Sequence, residues 1–145
     1  MNKVIPPDIV IDANAMRLYD KPKDISFINL FSWVRQQGVL TVNQKLIKEY
    51  GDTRNDLIMV LLNELSRDGR LNRISKETIA AYKADRHYAY TCNAKDRVHA
   101  RTVFLSNRKR LIAIDKNFLR DINNYPSVDG VKPCAYRNPK CCPLN

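Results

Sequence analysis

Short unbroken apolar runs alternate along this chain with longer stretches whose apolar residues return every three or four positions. Ile9-Val10-Ile11, Val39-Leu40-Thr41-Val42 and Leu111-Ile112-Ala113-Ile114 are of the short kind. Brief, aliphatic and bounded by proline or polar residues, they predict strands buried on both faces, the first spanning Asp8 to Asp12. The intervening stretches predict helices. Asp24 is placed to cap a helix carrying Phe27, Ile28, Phe31, Trp33 and Val34 that ends near Gly38. Asn43 caps a second, Gln44 to Tyr50, in which Leu46, Ile47 and Tyr50 share a face and which Gly51 stops. A longer helix starts at Asp52 or Thr53 and runs to about Arg67, with Leu57, Val60, Leu61 and Leu65 at helical spacing.

Farther on, Ser75 caps a helix through Ile79, Ala80, Ala81 and Ala84, and the Tyr-rich stretch after it reads as loop or helix. Ala94 to Asn107 is amphipathic, with Asp96, Ala100, Val103 and Asn107 on one face. Lys116 to Ile122 makes a short helix. Beyond the turn at Pro126, Val131 to Tyr136 adds a strand that Pro133 confines to an edge. Strands alternating with helices imply an α/β fold: a three-layer α/β/α sandwich around a central, mostly parallel sheet of four to five strands. The 145 residues suit one domain, 1–145, with the tail 126–145 lying outside the alternating pattern.

Charge changes the picture. Twenty-five Lys and Arg against 15 Asp and Glu give a net charge of +10. Twelve of those cations, against four acids, fall between Arg67 and Arg110. Such a concentration points to a polyanionic partner or to a solvated basic face. Arg97, Arg101, Arg108, Lys83 and Arg86 are the candidate nucleic-acid contacts. Tyr82, Tyr88 and Tyr90, interleaved with them, suit either stacking on unpaired bases or packing. No run approaches the ~18 apolar residues of a membrane span, and Met1 to Pro7 has no apolar leader, so a cytoplasmic protein without membrane contact is expected. Cys134, Cys141 and Cys142 have neither a regular disulfide framework nor zinc-knuckle spacing, which predicts free thiols. His87 and His99 lack any zinc-ligand spacing and are expected on the surface or in packing.

Four acids stand where strands end or helices begin: Asp12, Glu49, Asp96 and Asp115. At the carboxyl edge of a parallel sheet they would meet, and crowded carboxylates call for a hard divalent cation. Asp121 and Asp129 read as surface or turn acids, and Glu64 as a surface residue of the long helix.

The run Ile-Val-Ile-Asp-Ala-Asn at 9–14 resembles the opening of PIN-domain nucleases. Leu-Thr-Val-Asn-Gln-Lys-Leu-Ile-Lys-Glu at 40–49 is similar to that family's second strand, cap and helix, with Glu six residues past the cap. The span from Asp96 to Asp115, followed by Lys-Asn-Phe, is similar to its closing acid helix, strand and Asp-x-x-Phe. Together these cover Asp8 to Ile122. The resemblance implies a PIN-like endonuclease with Mg²⁺ or Mn²⁺ held by Asp12, Asp96 and Asp115, Glu49 holding a metal-bound water, and Asn14 positioning Asp12 or a substrate phosphate. It implies catalysis through all four acids, an RNA substrate, single-stranded or structured, and products with a 5′-phosphate and a 3′-hydroxyl.

The resemblance extends to VapC-like toxin nucleases, which implies an antitoxin partner and a homodimer. The chain departs from the family at Ala113, where a Thr or Ser often stands, and in the long basic segment 66–94. The cysteine-bearing tail matches no part of it. A different class stays open: a non-catalytic nucleic-acid-binding protein of PIN-like fold, in which the basic segment works and the acids are inert.

Overall fold

The computed structural model describes residues 7–145. Most of the stretch Met1 to Pro7, expected to carry no leader, lies outside the described residues.

Five strands form one sheet, in the order β3-β2-β1-β4-β5, and every pairing is parallel. They are β1 (Asp8–Ile11), β2 (Val39–Val42), β3 (Leu71–Arg73), β4 (Arg110–Ile112) and β5 (Cys134–Tyr136). The helices are α1 (Ala13–Met16), α2 (Ile25–Gln36), α3 (Gln44–Asp52), α4 (Asp56–Arg67), α5 (Lys76–Ala81), α6 (Ala94–Leu105) and α7 (Lys116–Asn124). They flank the sheet as the outer layers of an α/β/α sandwich, as the alternating pattern requires. β1 is central because Ile9, Val10 and Ile11 are apolar on both faces and all three are buried. The order of the chain reverses beside it: β2 pairs on one side and β4 on the other. In open parallel sheets such a reversal marks the crevice where ligands collect, which here falls at the carboxyl ends of β1 and β4.

Two polar anchors fix the opposite end of β1. Asp8 is fully buried and accepts the backbone N–H groups of Asn107 and Arg108, both at 2.8 Å, and the Thr41 hydroxyl at 3.2 Å. Arg108 donates its Nε to the Asp8 carbonyl and lays its guanidinium over Trp33, 5.6 Å from the ring centre. Trp33 in turn dictates Gly38, because a Cβ there would stand 2.6 Å from the indole.

Several boundaries differ from expectation. Gly51 does not stop α3, which continues to Asp52. α4 is capped by Asn55, whose side chain accepts from the Leu57 N–H, and not by Asp52 or Thr53. Its buried face is Ile58, Leu61, Leu62 and Leu65, whereas Leu57 and Val60 are about half exposed. Ser75 does cap α5, but that helix closes at Ala81, short of Ala84. β3 has no counterpart among the expected strands, and the strand expected over Val131 to Tyr136 is limited to β5. α6 ends at Leu105 and is capped by Asn93, which puts Asp96 in its first turn.

The tail folds back on α2. Ser26 donates to Asn138 and Trp33 Nε1 to Asn145, and Cys142 is buried. All four cysteines are free thiols, as the spacing predicts. Among the described residues no helix is long and apolar enough to cross a membrane.

Candidate metal centre

Each component of the site arrives on a different element. β1 runs straight into Asp12, whose N–H is bonded to the Ile112 carbonyl of β4 at 2.9 Å. This pins the acid at the mouth of the crevice. Asn43 ends β2 and caps α3 by accepting the Leu46 N–H at 2.7 Å. The helix so started carries Glu49, six residues on, back towards Asp12. α6 brings Asp96 and, one turn later, His99.

One carboxylate oxygen each of Asp12 and Glu49 and one ring nitrogen of His99 all lie within 4.8 Å of one another. This group has the donor types and the spacing to hold a metal ion. Asp12 is 6% exposed. Burial pushes its carboxyl up to about 6, with Asp96 and Glu49 adding repulsion while His99 and the Ala13 N–H oppose it. Burial likewise raises the half-buried Asp96, and the charges of Asp115 and Glu49 reinforce the rise. Burial works on Glu49 too, but there the hydrogen bond from His99 and the charges of Lys45 and Lys95 prevail, and the carboxyl falls below its usual range. Asp12 and Asp96 are thus held above the ordinary carboxylate range chiefly by burial and partly by neighbouring carboxylates, a state that a divalent ion relieves.

Asp115 is exposed and caps α7 by accepting the Phe118 N–H at 2.9 Å. Asp12 and Glu49 are thus brought together, whereas Asp96 and Asp115 lie outside that group: the charge of Asp96 acts on Asp12, and that of Asp115 on Asp96. Asn14 is exposed on α1.

His99 is 1% exposed, as the packing expectation has it and the surface one does not, and beyond packing it is bonded through Nε2 to both Glu49 oxygens, at 2.7 and 3.0 Å. Its Nδ1 faces the Asn43 amide at 3.1 Å. The i, i+3 spacing from Asp96 was the only signal in the sequence, since its partners lie some fifty residues away.

An open cleft of about 810 Å³ between α3, α5 and α6 is lined by Ile47, Ile79 and Val98 together with Lys45, Lys48 and Lys76, and it reaches Asn43 but none of the four acids. Of the five candidate nucleic-acid contacts, Lys83, Arg86 and Arg97 are exposed. Arg97 also lays its guanidinium over the Tyr90 ring, 5.5 Å from its centre, and the other two have internal hydrogen-bond partners. Arg101 donates Nε to the buried Asp85 at 2.8 Å, and Arg108 is the anchor of β1 described above. The tyrosines pack rather than project: Tyr82 bonds Tyr125, Tyr88 donates to the Asp121 carbonyl and Tyr90 to Asp85. Asp121, expected at the surface, is 1% exposed and accepts the N–H groups of Thr91 and Cys92.

No protein-family model matches the chain, and no curated protein matches it.

Proposed function

We propose that the protein is a metal-dependent endoribonuclease of PIN type, acting through Asp12, Glu49, Asp96 and Asp115. The observation that carries this reading is the buried Asp12 at the topological reversal of a parallel sheet, pushed up to about 6 chiefly by burial, with a Glu49 oxygen within 4.8 Å of one of its own. The residues fit Mg²⁺ or Mn²⁺: carboxylate oxygens predominate, as hard cations require. A divalent ion, when bound, neutralises an anionic phosphodiester, makes water a stronger nucleophile at neutral pH and stabilises the leaving oxygen. Asp12 and Asp96 would hold it from β1 and α6, with Asp115 at the outer side. Glu49, kept ionised by its surroundings, would orient the attacking water and accept its proton. Lys45, Lys48 and Lys76 along the cleft would draw in a polyanion, and the net charge of +10 favours the same partner.

Hydrolysis to a 5′-phosphate and a 3′-hydroxyl follows from the PIN resemblance, as do the toxin role, the antitoxin partner and the homodimer. Mn²⁺ titration by calorimetry on wild type and on Asp12→Asn/Asp115→Asn, with a mixed RNA pool followed in the same samples, tests the reading. Wild type should bind metal and cut, and the variant should do neither. RNA bound but left uncut by wild type at saturating Mn²⁺ would instead favour a nucleic-acid-binding protein whose basic segment does the work.

A further inference from the structure

Which atoms of the Asp12, Glu49 and His99 group face a metal depends on where the hydrogens around His99 lie, and one helix cap decides that. The Asn43 carboxamide is oriented by its duty to α3, because Oδ1 accepts the Leu46 N–H at 2.7 Å. Turning the amide over would set two donors against each other. Nδ2 therefore carries its two hydrogens towards α6. One goes to Thr102 Oγ1 at 2.7 Å, and that hydroxyl has its own hydrogen directed to the Val98 carbonyl at 3.1 Å, so it can only accept. The other meets His99 Nδ1 at 3.1 Å, and an amide hydrogen pointing at a ring nitrogen requires a lone pair there. The ring proton is left on Nε2, where both Glu49 oxygens stand within 3.0 Å to accept it.

We infer that His99 is a positioning residue and not a metal ligand: with its Nδ1 tied to Asn43, it presents Nε2–H to Glu49 and fixes that carboxylate against Asp12. For Nε2 to bind a metal, its proton would have to move to Nδ1. There it would oppose the Asn43 hydrogen at a buried contact, Asn43 being 2% and His99 1% exposed. The chain Leu46, Asn43, His99, Glu49 thus links the start of α3 to a side chain in its second turn by way of α6. It leaves an all-oxygen donor set facing the crevice, which selects a hard cation over zinc. The inference rests on the metal reading above only for what Glu49 is positioned to do; the ring's hydrogen-bonding state is a property of the metal-free protein as well.

The test is nitrogen-15 NMR of the two imidazoles, recorded without metal and again at saturating Mg²⁺, with the exposed His87 as internal reference. Protonated Nε2 and unprotonated Nδ1 are expected in both spectra. A proton on Nδ1 in the metal-free spectrum, or loss of the Nε2 proton on adding Mg²⁺, overturns the assignment. Calorimetry with Mn²⁺ on two variants supplies the second readout. His99→Leu should weaken binding about 10-fold or more, whereas His99→Gln, whose amide can still donate to Glu49, should stay within about threefold of wild type. Equal losses in both variants would mean that the ring itself is a ligand. If Mn²⁺ does not bind wild type, the metal reading fails while the metal-free spectrum still decides the tautomer.

Discussion

Tyr50, the residue after Glu49, donates its phenol hydrogen to the carbonyl of Ile11, the residue before Asp12. Two backbones that carry facing acids are therefore joined one residue away from them, by a side chain that is fully buried. Tyr50→Phe keeps the ring and removes the donor. It should lower stability by about 1–2 kcal/mol in urea unfolding and weaken Mn²⁺ binding, because α3 can then drift relative to β1. A variant with unchanged unfolding and unchanged metal affinity would show that packing alone sets this spacing.

Asp12 makes the metal-free protein sensitive to pH in a defined direction. Its carboxyl is raised from an ordinary 3.8 to about 6 in the fold. Below both values each state holds the proton and there is no penalty. As pH rises between them, the unfolded chain ionises first, so stability falls, and above about 6 the penalty is constant. With a chelator present, Asp12→Asn should be more stable than wild type by roughly 2–3 kcal/mol at pH 7.5, and the gain should vanish near pH 4. Denaturant unfolding at the two pH values measures this, and a variant no more stable at pH 7.5 would show that the carboxylate is not under strain.

The parts of the fold that sequence made legible are those where one local signal suffices. β1, β2 and β4 are bare apolar runs, and Asp24, Asn43 and Ser75 cap helices where their chemistry says they should. β3 was invisible because Leu-Asn-Arg at the sheet edge carries no run and no alternation. The helical spacing of Leu57, Val60, Leu61 and Leu65 does not give the buried face of α4, because Leu57 to Leu62 is apolar throughout and only packing decides which residues point inward. Asp12 is legible as the acid that ends an apolar run, and Glu49 through its spacing of six residues past the cap Asn43. His99 and Asp121 are not, since their roles come from partners distant in sequence, and nothing local distinguishes a buried acid from a surface one.

Asp121 deserves a measurement for that reason. It accepts the N–H of Cys92 at 2.8 Å and both the N–H and the hydroxyl of Thr91, which fixes the approach to α6 and hence Asp96. Burial alone would raise its carboxyl, but these hydrogen bonds outweigh burial and hold it below the ordinary range. The stability it contributes is thus complete above the unfolded value of about 4 and is lost as pH falls through the lower folded value. Asp121→Asn should cost about 1.5–3 kcal/mol at pH 7, with the gap to wild type closing at acid pH. A gap that persists at pH 2 would assign the loss to packing instead of charge.

The basic residues divide by partner, and that division predicts two separable phenotypes. Arg101 compensates Asp85, which is 2% exposed and whose Oδ1 has no partner among the described residues, so Arg101→Ala leaves a buried carboxylate without its counter-ion, held by the Tyr90 hydroxyl alone. It should destabilise the protein by about 2–3 kcal/mol in thermal or urea unfolding, less than a fully buried pair because the arginine is partly exposed. Lys83, Arg86 and Arg97 are exposed and should behave oppositely. Replacing all three with Gln should leave the unfolding midpoint nearly unchanged while weakening binding to single-stranded RNA. If all three contact phosphates, the slope of log affinity against log salt should flatten by about 2. The two classes of variant bear on different links of the chain: one removes a charge the fold needs to bury Asp85, the other removes exposed charge whose one contact within the fold is that of Arg97 with the Tyr90 ring. An unchanged salt slope in the triple variant would move the binding surface to the lysines of the cleft, where Lys48→Glu/Lys76→Glu should then abolish it.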